Sequence, residues 1–225
     1  MTQAKERPIL FSAPMVRAIL EGRKTVTRRA VKKPAALDCL AAGFEPAFLA
    51  LPGNADLCPY GKVGDRLWVR ETWSDVNLQG APGIAYRADG DVRGLMEDAS
   101  FLDEDGAFNY DDPRSKPYQF ACWSEDLIGG KEGRWRPSIH IPRWASRILL
   151  EISAVRVERL QEISRSDIRA EGLECPPELA SDDVSPNYRD WYPAAWRELW
   201  ESINGADSWN SNPWVWVVEF KQVTQ

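Results

Sequence analysis

The stretch Gly22-Arg-Lys-Thr-Val-Thr-Arg-Arg gathers an amine, two hydroxyls and three guanidinium groups within eight residues. Read as extended from residue 25, it sends Thr25, Thr27 and Arg29 to one side and Val26 and Arg28 to the other. Lys24 stands at the bend before it and can swing toward the Thr27 side. A lysine beside a hydroxyl is a base-and-nucleophile arrangement, provided the ammonium is desolvated enough to lose its proton near neutral pH. The rival account is a basic edge strand with solvated Lys and Thr, and spacing alone favours that plainer account.

Acid/base work also calls for carboxylates. Glu71, in Val-Arg-Glu-Thr-Trp, and Glu171, in Ile-Arg-Ala-Glu-Gly, both sit at element ends beside apolar residues. Glu171 is awkward one residue before a helix-ending Gly172, because the negative end of the helix dipole disfavours an acid there. That misfit makes it a functional candidate. Glu71 reads more readily as a salt-bridged strand acid. His140, the single histidine, lies between Ile139 and Ile141 and reads as packed or hydrogen-bonded rather than catalytic. Cys39, Cys58, Cys122 and Cys175 show no CxxC and no metal-ligand spacing, so they read as four reduced thiols.

These groups need elements to hold them. Ser12-Ala-Pro-Met carries helix-start signals, Met15, Ile19 and Leu20 repeat at helical spacing, and Gly22 ends the run. The β-branched, basic stretch 23–29 follows as a strand. Gly61-Lys-Val-Gly-Asp turns into an alternating strand, 66–73. Residues 147–160 are strongly β-prone, with a bulge expected at Ser153-Ala154. Ser164 opens a helix that Gly172 closes, with Asp167 three residues after the cap. Residues 189–203 form an amphipathic helix with Trp196, Leu199, Trp200 and Ile203 on one stripe. A last strand starts at Pro213. The prolines around 137–142 suggest extended chain. Residues 75–133 show no sustained periodicity, with short strands expected at 84–87 and 118–121.

Composition narrows the partners. The 225 residues carry 28 Lys and Arg against 34 Asp and Glu, a net charge of −6, and 11 Trp. The charge is uneven: nine Lys and Arg face only Glu6 and Glu21 in 1–37, nine acids face Arg93 in 89–112, and 134–169 is again Arg-rich. Local basic surface on an acidic chain suits a nucleotide or nucleic-acid partner, not tight nonspecific duplex binding. Six Trp fall in 191–216, where periodicity favours core packing. No apolar run reaches the roughly 20 residues of a membrane helix, and the start, MTQAKERPIL, lacks a leader's apolar region. A monomeric, cytoplasmic protein without a membrane partner is expected.

Gly22-x-Lys24-x-x-Thr27-x-Arg29, after an amphipathic helix and before Gly64-Asp65 opening a strand, resembles the signature of the ASCH domain family, which are PUA-like β-barrels. The closing Val215-Trp-Val-Val-Glu-Phe-Lys resembles their last barrel strand. The likeness runs in blocks, about 9–29, 61–73, 147–173 and 189–221, and the whole chain looks like the larger ASCH proteins of bacteriophages and prophages. It implies an α+β fold: one small PUA-like barrel domain over 1–225 with flanking helices and loop insertions at about 35–60, 74–136 and 174–188.

Many ASCH domains carry Glu where Thr27 stands, so the motif resembles most the branch that removes the acetyl group from N4-acetylcytidine. That resemblance implies catalytic Lys24, Thr27 and Glu171 and no metal or cofactor. For that reaction Arg29 is a candidate for the carbonyl oxygen or base edge, since guanidinium donors stabilise developing negative charge, Trp68 or Trp73 for stacking on the pyrimidine, and Glu71 for bonding its edge. The alternative is a PUA-like module binding RNA or DNA at a modified base, a ribonuclease among its variants.

Overall fold

The structure, a computed structural model, describes residues 4–176 and 191–224. In chain order its elements are β1 (Glu6–Leu10), α1 (Ala13–Leu20), β2 (Val26–Ala30), α2 (Pro34–Ala41), α3 (Pro46–Leu49), β3 (Arg66–Arg70), β4 (Trp73–Leu78), β5 (Ala81–Tyr86), β6 (Val92–Gly94), α4 (Ser124–Ile128), β7 (Leu149–Arg159), α5 (Arg165–Ala170), α6 (Trp191–Asn204) and β8 (Trp214–Val223), with short 3-10 turns between. The class is α+β. The described strands make a five-stranded sheet in the order β1-β3-β7-β8-β2 and a three-stranded sheet β4-β5-β6. Both are open, and no closed barrel is found among the described residues.

The chain divides into two compact units. The first comprises Met1–Arg7, Ala18–Leu67 and Leu149–Gln225; the second comprises Pro8–Arg17 and Trp68–Ile148. In the first, β8 is flanked by β2 and β7, antiparallel on both sides. The register slips between Ile152 and Ala154, at the bulge the sequence suggests. Directly paired residues share a face. Arg28, Val217 and Arg156 therefore lie on one face, and Thr27, Val218 and Val155 on the other.

Helix α5 starts where Ser164 Oγ accepts from the Asp167 amide at 3.1 Å. Trp196 and Trp200 of α6 pack with Val26, Leu160, Ile168, Val215 and Val217, so these indoles are core. Ile203, expected on the same stripe, is instead exposed.

The second unit contains the whole stretch expected as a loop insertion at 74–136. Strands β4 and β5 pair from Trp73 against Tyr86 to Leu78 against Ala81, burying Trp73, Val76, Ile84, Ala85 and Tyr86. The expected strand at 84–87 belongs to β5, but 118–121 is not a strand. There, Asp75 Oδ2 accepts from the Gln119 and Phe120 amides, both at 3.1 Å, and Phe120 has φ 49°. Residues 138–140 form a 3-10 turn rather than extended chain, and His140 is exposed rather than packed. In the first unit, the expected insertion at 35–60 holds α2, α3 and a 3-10 turn. Of the one at 174–188, residues 177–188 lie outside the described residues.

Candidate active site

Two segments far apart in sequence meet around Lys24. Gly22, at φ 74°, ends α1 and turns the chain, and the Arg23 and Lys24 amides return to the Ala18 carbonyl at 2.8 and 2.9 Å. The Thr25 amide donates to Ala170 O at 2.9 Å, and Lys24 and Glu171 form an isolated antiparallel bridge. Glu171 caps the C-terminal end of α5, and Arg23 NH1 donates to Gly172 O at 2.8 Å. The backbone thus sets Lys24 against Glu171 before either side chain acts.

The side chains complete the contact. Lys24 Nζ donates to Glu171 Oε2 at 2.7 Å, to Glu171 O at 2.9 Å and to Val26 O at 2.8 Å. Both residues are buried, at 2% and 3% exposure. Burial pushes the Lys24 amine below its ordinary value of 10.5; the Glu171 charge and hydrogen bond pull it back up, and Arg29 and Arg28 push it down again. The Lys24 end of the motif is therefore not a solvated edge. The two cationic neighbours, Lys24 and Arg28, also offset the unfavourable place of Glu171 at a helix C-terminus.

Thr27 is buried on β2 opposite Val218, and Arg29, two residues on, is half-buried opposite Trp216. Strand alternation puts both on the face of β2 away from Arg28. The three Lys24 bonds described above do not include the Thr27 hydroxyl. The structure therefore joins Lys24 to Glu171 directly, while Thr27 follows three residues on, inside β2 and on the face opposite Arg28.

Arg28 is the residue the sequence reading left out. Its Nε and NH2 donate to Glu158 Oε1 at 2.9 and 2.7 Å, its NH2 also pairs with Asp167, and its NH1 reaches Glu171 Oε1 at 3.3 Å. The available signal was parity: Arg28 and Lys24 are both an even number of residues from Val26.

The other expected substrate contacts, Trp68, Glu71 and Trp73, belong to the second unit, and the structure gives each a packing role. Glu71, 1% exposed, receives Arg147 Nε on Oε1 at 3.0 Å and NH2 on Oε2 at 2.9 Å. Arg147 also pairs with Asp89 at 2.9 Å and Asp91 at 3.0 Å and lies 4.1 Å over the Tyr86 ring. Both Glu71 oxygens are occupied, which is the salt-bridged alternative. Trp73 is fully buried, edge-on to Tyr118 at 5.3 Å. Trp68 is buried with the Arg70 guanidinium 4.8 Å from its ring centre. As placed, neither indole offers a bare face for stacking.

Among the described residues no group of three or more His, Cys, Asp or Glu is placed to hold a metal ion, and no helix is long and apolar enough to cross a membrane. Comparison with protein-family models, with curated proteins and with solved structures returns no match to this chain.

Proposed function

We propose that this chain is an amidohydrolase of the ASCH, PUA-like kind that removes acyl groups from N4-acylated cytosine or cytidine. The observation that carries the reading is the buried 2.7 Å contact between Lys24 Nζ and Glu171 Oε2, made by residues 147 positions apart. It places a desolvated amine and a carboxylate in proton-transfer distance, next to a strand bearing a buried hydroxyl at Thr27.

The three bonds that Lys24 Nζ donates use the protons of an ammonium; the working state has one proton fewer, a neutral amine beside the Glu171 carboxylate. The amine takes the Thr27 hydroxyl proton as the Thr27 oxygen bonds to the acyl carbonyl carbon, and Arg29 stabilises the negative charge on the carbonyl oxygen. The new Lys24 ammonium passes its proton to Glu171, which delivers it to the exocyclic N4 nitrogen as the carbon–nitrogen bond breaks. Cytosine leaves with a free amine, and Thr27 holds the acyl group as an ester. Water then attacks that ester. Its proton goes to Lys24 and returns to the departing Thr27 oxygen, restoring the starting state.

The test is release of cytidine from N4-acetylcytidine and longer N4-acyl analogues, with Lys24→Ala, Thr27→Ala and Glu171→Ala in parallel. Each variant should lose roughly 10²–10⁴-fold in kcat, the scale of acid–base contributions. A wild-type protein inert toward every N4-acylcytosine, or three variants as active as wild type, rejects the reading.

A further inference from the structure

Arg28 is shared among more carboxylates than its own charge balance needs. Its side chain is fully buried, and Glu158 from β7 and Asp167 from α5 already compensate it. The further bond, NH1 to Glu171 Oε1 at 3.3 Å, divides the Glu171 carboxylate: Oε1 faces a guanidinium and Oε2 faces the Lys24 amine. Arg156 ties in the remaining acids, reaching Glu158 at 3.2 Å, Asp167 at 2.5 Å and Glu219 on β8. The groups around Lys24 are therefore Glu171, just past the end of α5, with Arg28 and Arg29 on β2. Those behind Arg28 are Glu158, Arg156, Asp167 and Glu219.

We propose that Arg28 is a positioning residue for the Lys24–Glu171 pair: it orients the carboxylate through Oε1 and, as a fixed positive charge, biases Lys24 toward the neutral amine. An arginine stays protonated inside proteins, so this bias does not switch off with pH. A carboxylate shared with a guanidinium holds the lysine proton less firmly and gives up a relayed proton more readily. The catalytic use of this bias rests on the proposed hydrolase reading; the charge arrangement itself does not.

The experiment measures the Lys24 titration directly, by the 13Cε signal of 13C-lysine-labelled protein, assigned with Lys24→Arg. The series is wild type, Arg28→Met, Arg28→Lys and Asp167→Asn. Loss of the cation in Arg28→Met should move the Lys24 midpoint up, and Arg28→Lys should leave it close to wild type. Asp167→Asn, which leaves Arg28 more fully on Glu171, should move it down, and this keeps the test decisive if Arg28→Met does not fold. An unmoved midpoint in folded Arg28→Met, or in Asp167→Asn, overturns the assignment.

With N4-acetylcytidine as substrate, the rising limb of the pH–rate profile should follow the Lys24 midpoint across the series. Arg28→Lys, keeping charge but losing the fork, should show a kcat about 10²-fold lower at little changed KM, the scale of a misplaced reacting group. If no form hydrolyses the substrate while the midpoint moves as stated, the hydrolase reading fails and the positioning role of Arg28 stands.

Discussion

A Cβ placed on Gly172 would lie 3.0 Å from Lys24 Cβ and 2.8 Å from Ala18 Cβ, so the backbone leaving α5 runs in direct contact with Lys24. Gly172 also has φ 90°, a conformation that side chains resist. One glycine therefore does two things: it lets the chain turn away from the helix, and it lets Glu171 come close enough to bridge Lys24.

Gly172→Ala should accordingly affect stability and geometry together. The left-handed conformation costs about 1–2 kcal/mol for a non-glycine residue, and the crowding against Ala18 and Lys24 adds to it. Urea unfolding should show a loss of at least that size, with hydrolysis of N4-acetylcytidine falling more than the unfolded fraction explains. Wild-type stability in this variant would mean that the close approach of 172 to Lys24 is not maintained in solution.

The buried pair should show strong coupling. Lys24→Met leaves the Glu171 carboxylate buried with Arg28 as its remaining described ion-pair partner, and breaking a buried pair from one side costs about 3–5 kcal/mol. Adding Glu171→Leu removes the stranded charge, while Glu158 and Asp167 still compensate Arg28. The double variant should be more stable than Lys24→Met alone, yet equally inactive. Unfolding midpoints of the two singles and the double decide this, and additive losses would show that the two side chains do not hold each other.

The parts of the fold that local signals specify were legible in the sequence. Ser164 as a cap, Gly172 as a stop and the bulge beside Ser153 each depend on residues a few positions apart, and each is where the chain suggests. Glu171 was legible as a misfit, an acid at the wrong end of a helix, and Lys24 as an amine beside hydroxyls whose spacing alone favoured a solvated side chain. Arg28 was legible only as sharing parity with Lys24; its role arises from acids of β7 and α5 that meet it over one face of β2, and spacing within the motif does not name those partners. The stretch 74–136 gave no periodicity because side chains bonded to distant loops organise much of it. Asp75 holds the Phe120 amide and Arg136, and Tyr86 donates to Ala145 O at 2.7 Å. Such bonds leave no repeating pattern to read.

Asp65 offers a pH-dependent test in the first unit. Burial works to raise its pKa, but the Lys5 amide at 3.1 Å, Arg7 at 2.8 Å and the Lys62 amide at 3.3 Å all donate to it and hold it below the ordinary 3.8. A depressed carboxyl contributes stability that is present above its unfolded value and lost as pH falls through its folded value. Asp65→Asn should therefore cost about 1.5–3 kcal/mol at pH 7, the worth of hydrogen bonds to a charged group. The deficit should shrink in acid, below pH 3.8. A deficit that stays constant from pH 7 to pH 3 would show that the charge of Asp65 is not what those donors hold.

Arg147 gives the corresponding test in the second unit, with two opposing signs. Burial raises the Glu71 carboxyl above its ordinary 4.5 despite the two Arg147 bonds, so ionised Glu71 weighs against folding, increasingly as pH rises from 4.5 through its folded value. Asp89 goes the other way: against the effect of burial, its bonds from Arg147 and the Asp91 amide hold it below 3.8, and that contribution is present above 3.8 and lost in acid. Arg147→Met removes the restraint on Glu71 and the support of Asp89 together. At pH 7 the variant should lose about 3–5 kcal/mol, as expected for a stranded buried charge. On acidification toward pH 4.5 and below, Glu71 takes up its proton and the gap to wild type should narrow. Arg147→Lys should recover little, since one ammonium cannot reproduce the two-pronged contact with Glu71 or lie flat over Tyr86. Urea unfolding of the three proteins from pH 4 to pH 8 measures both effects. A gap independent of pH would mean that Arg147 supports the second unit by packing on Tyr86 and not by neutralising Glu71 and Asp89.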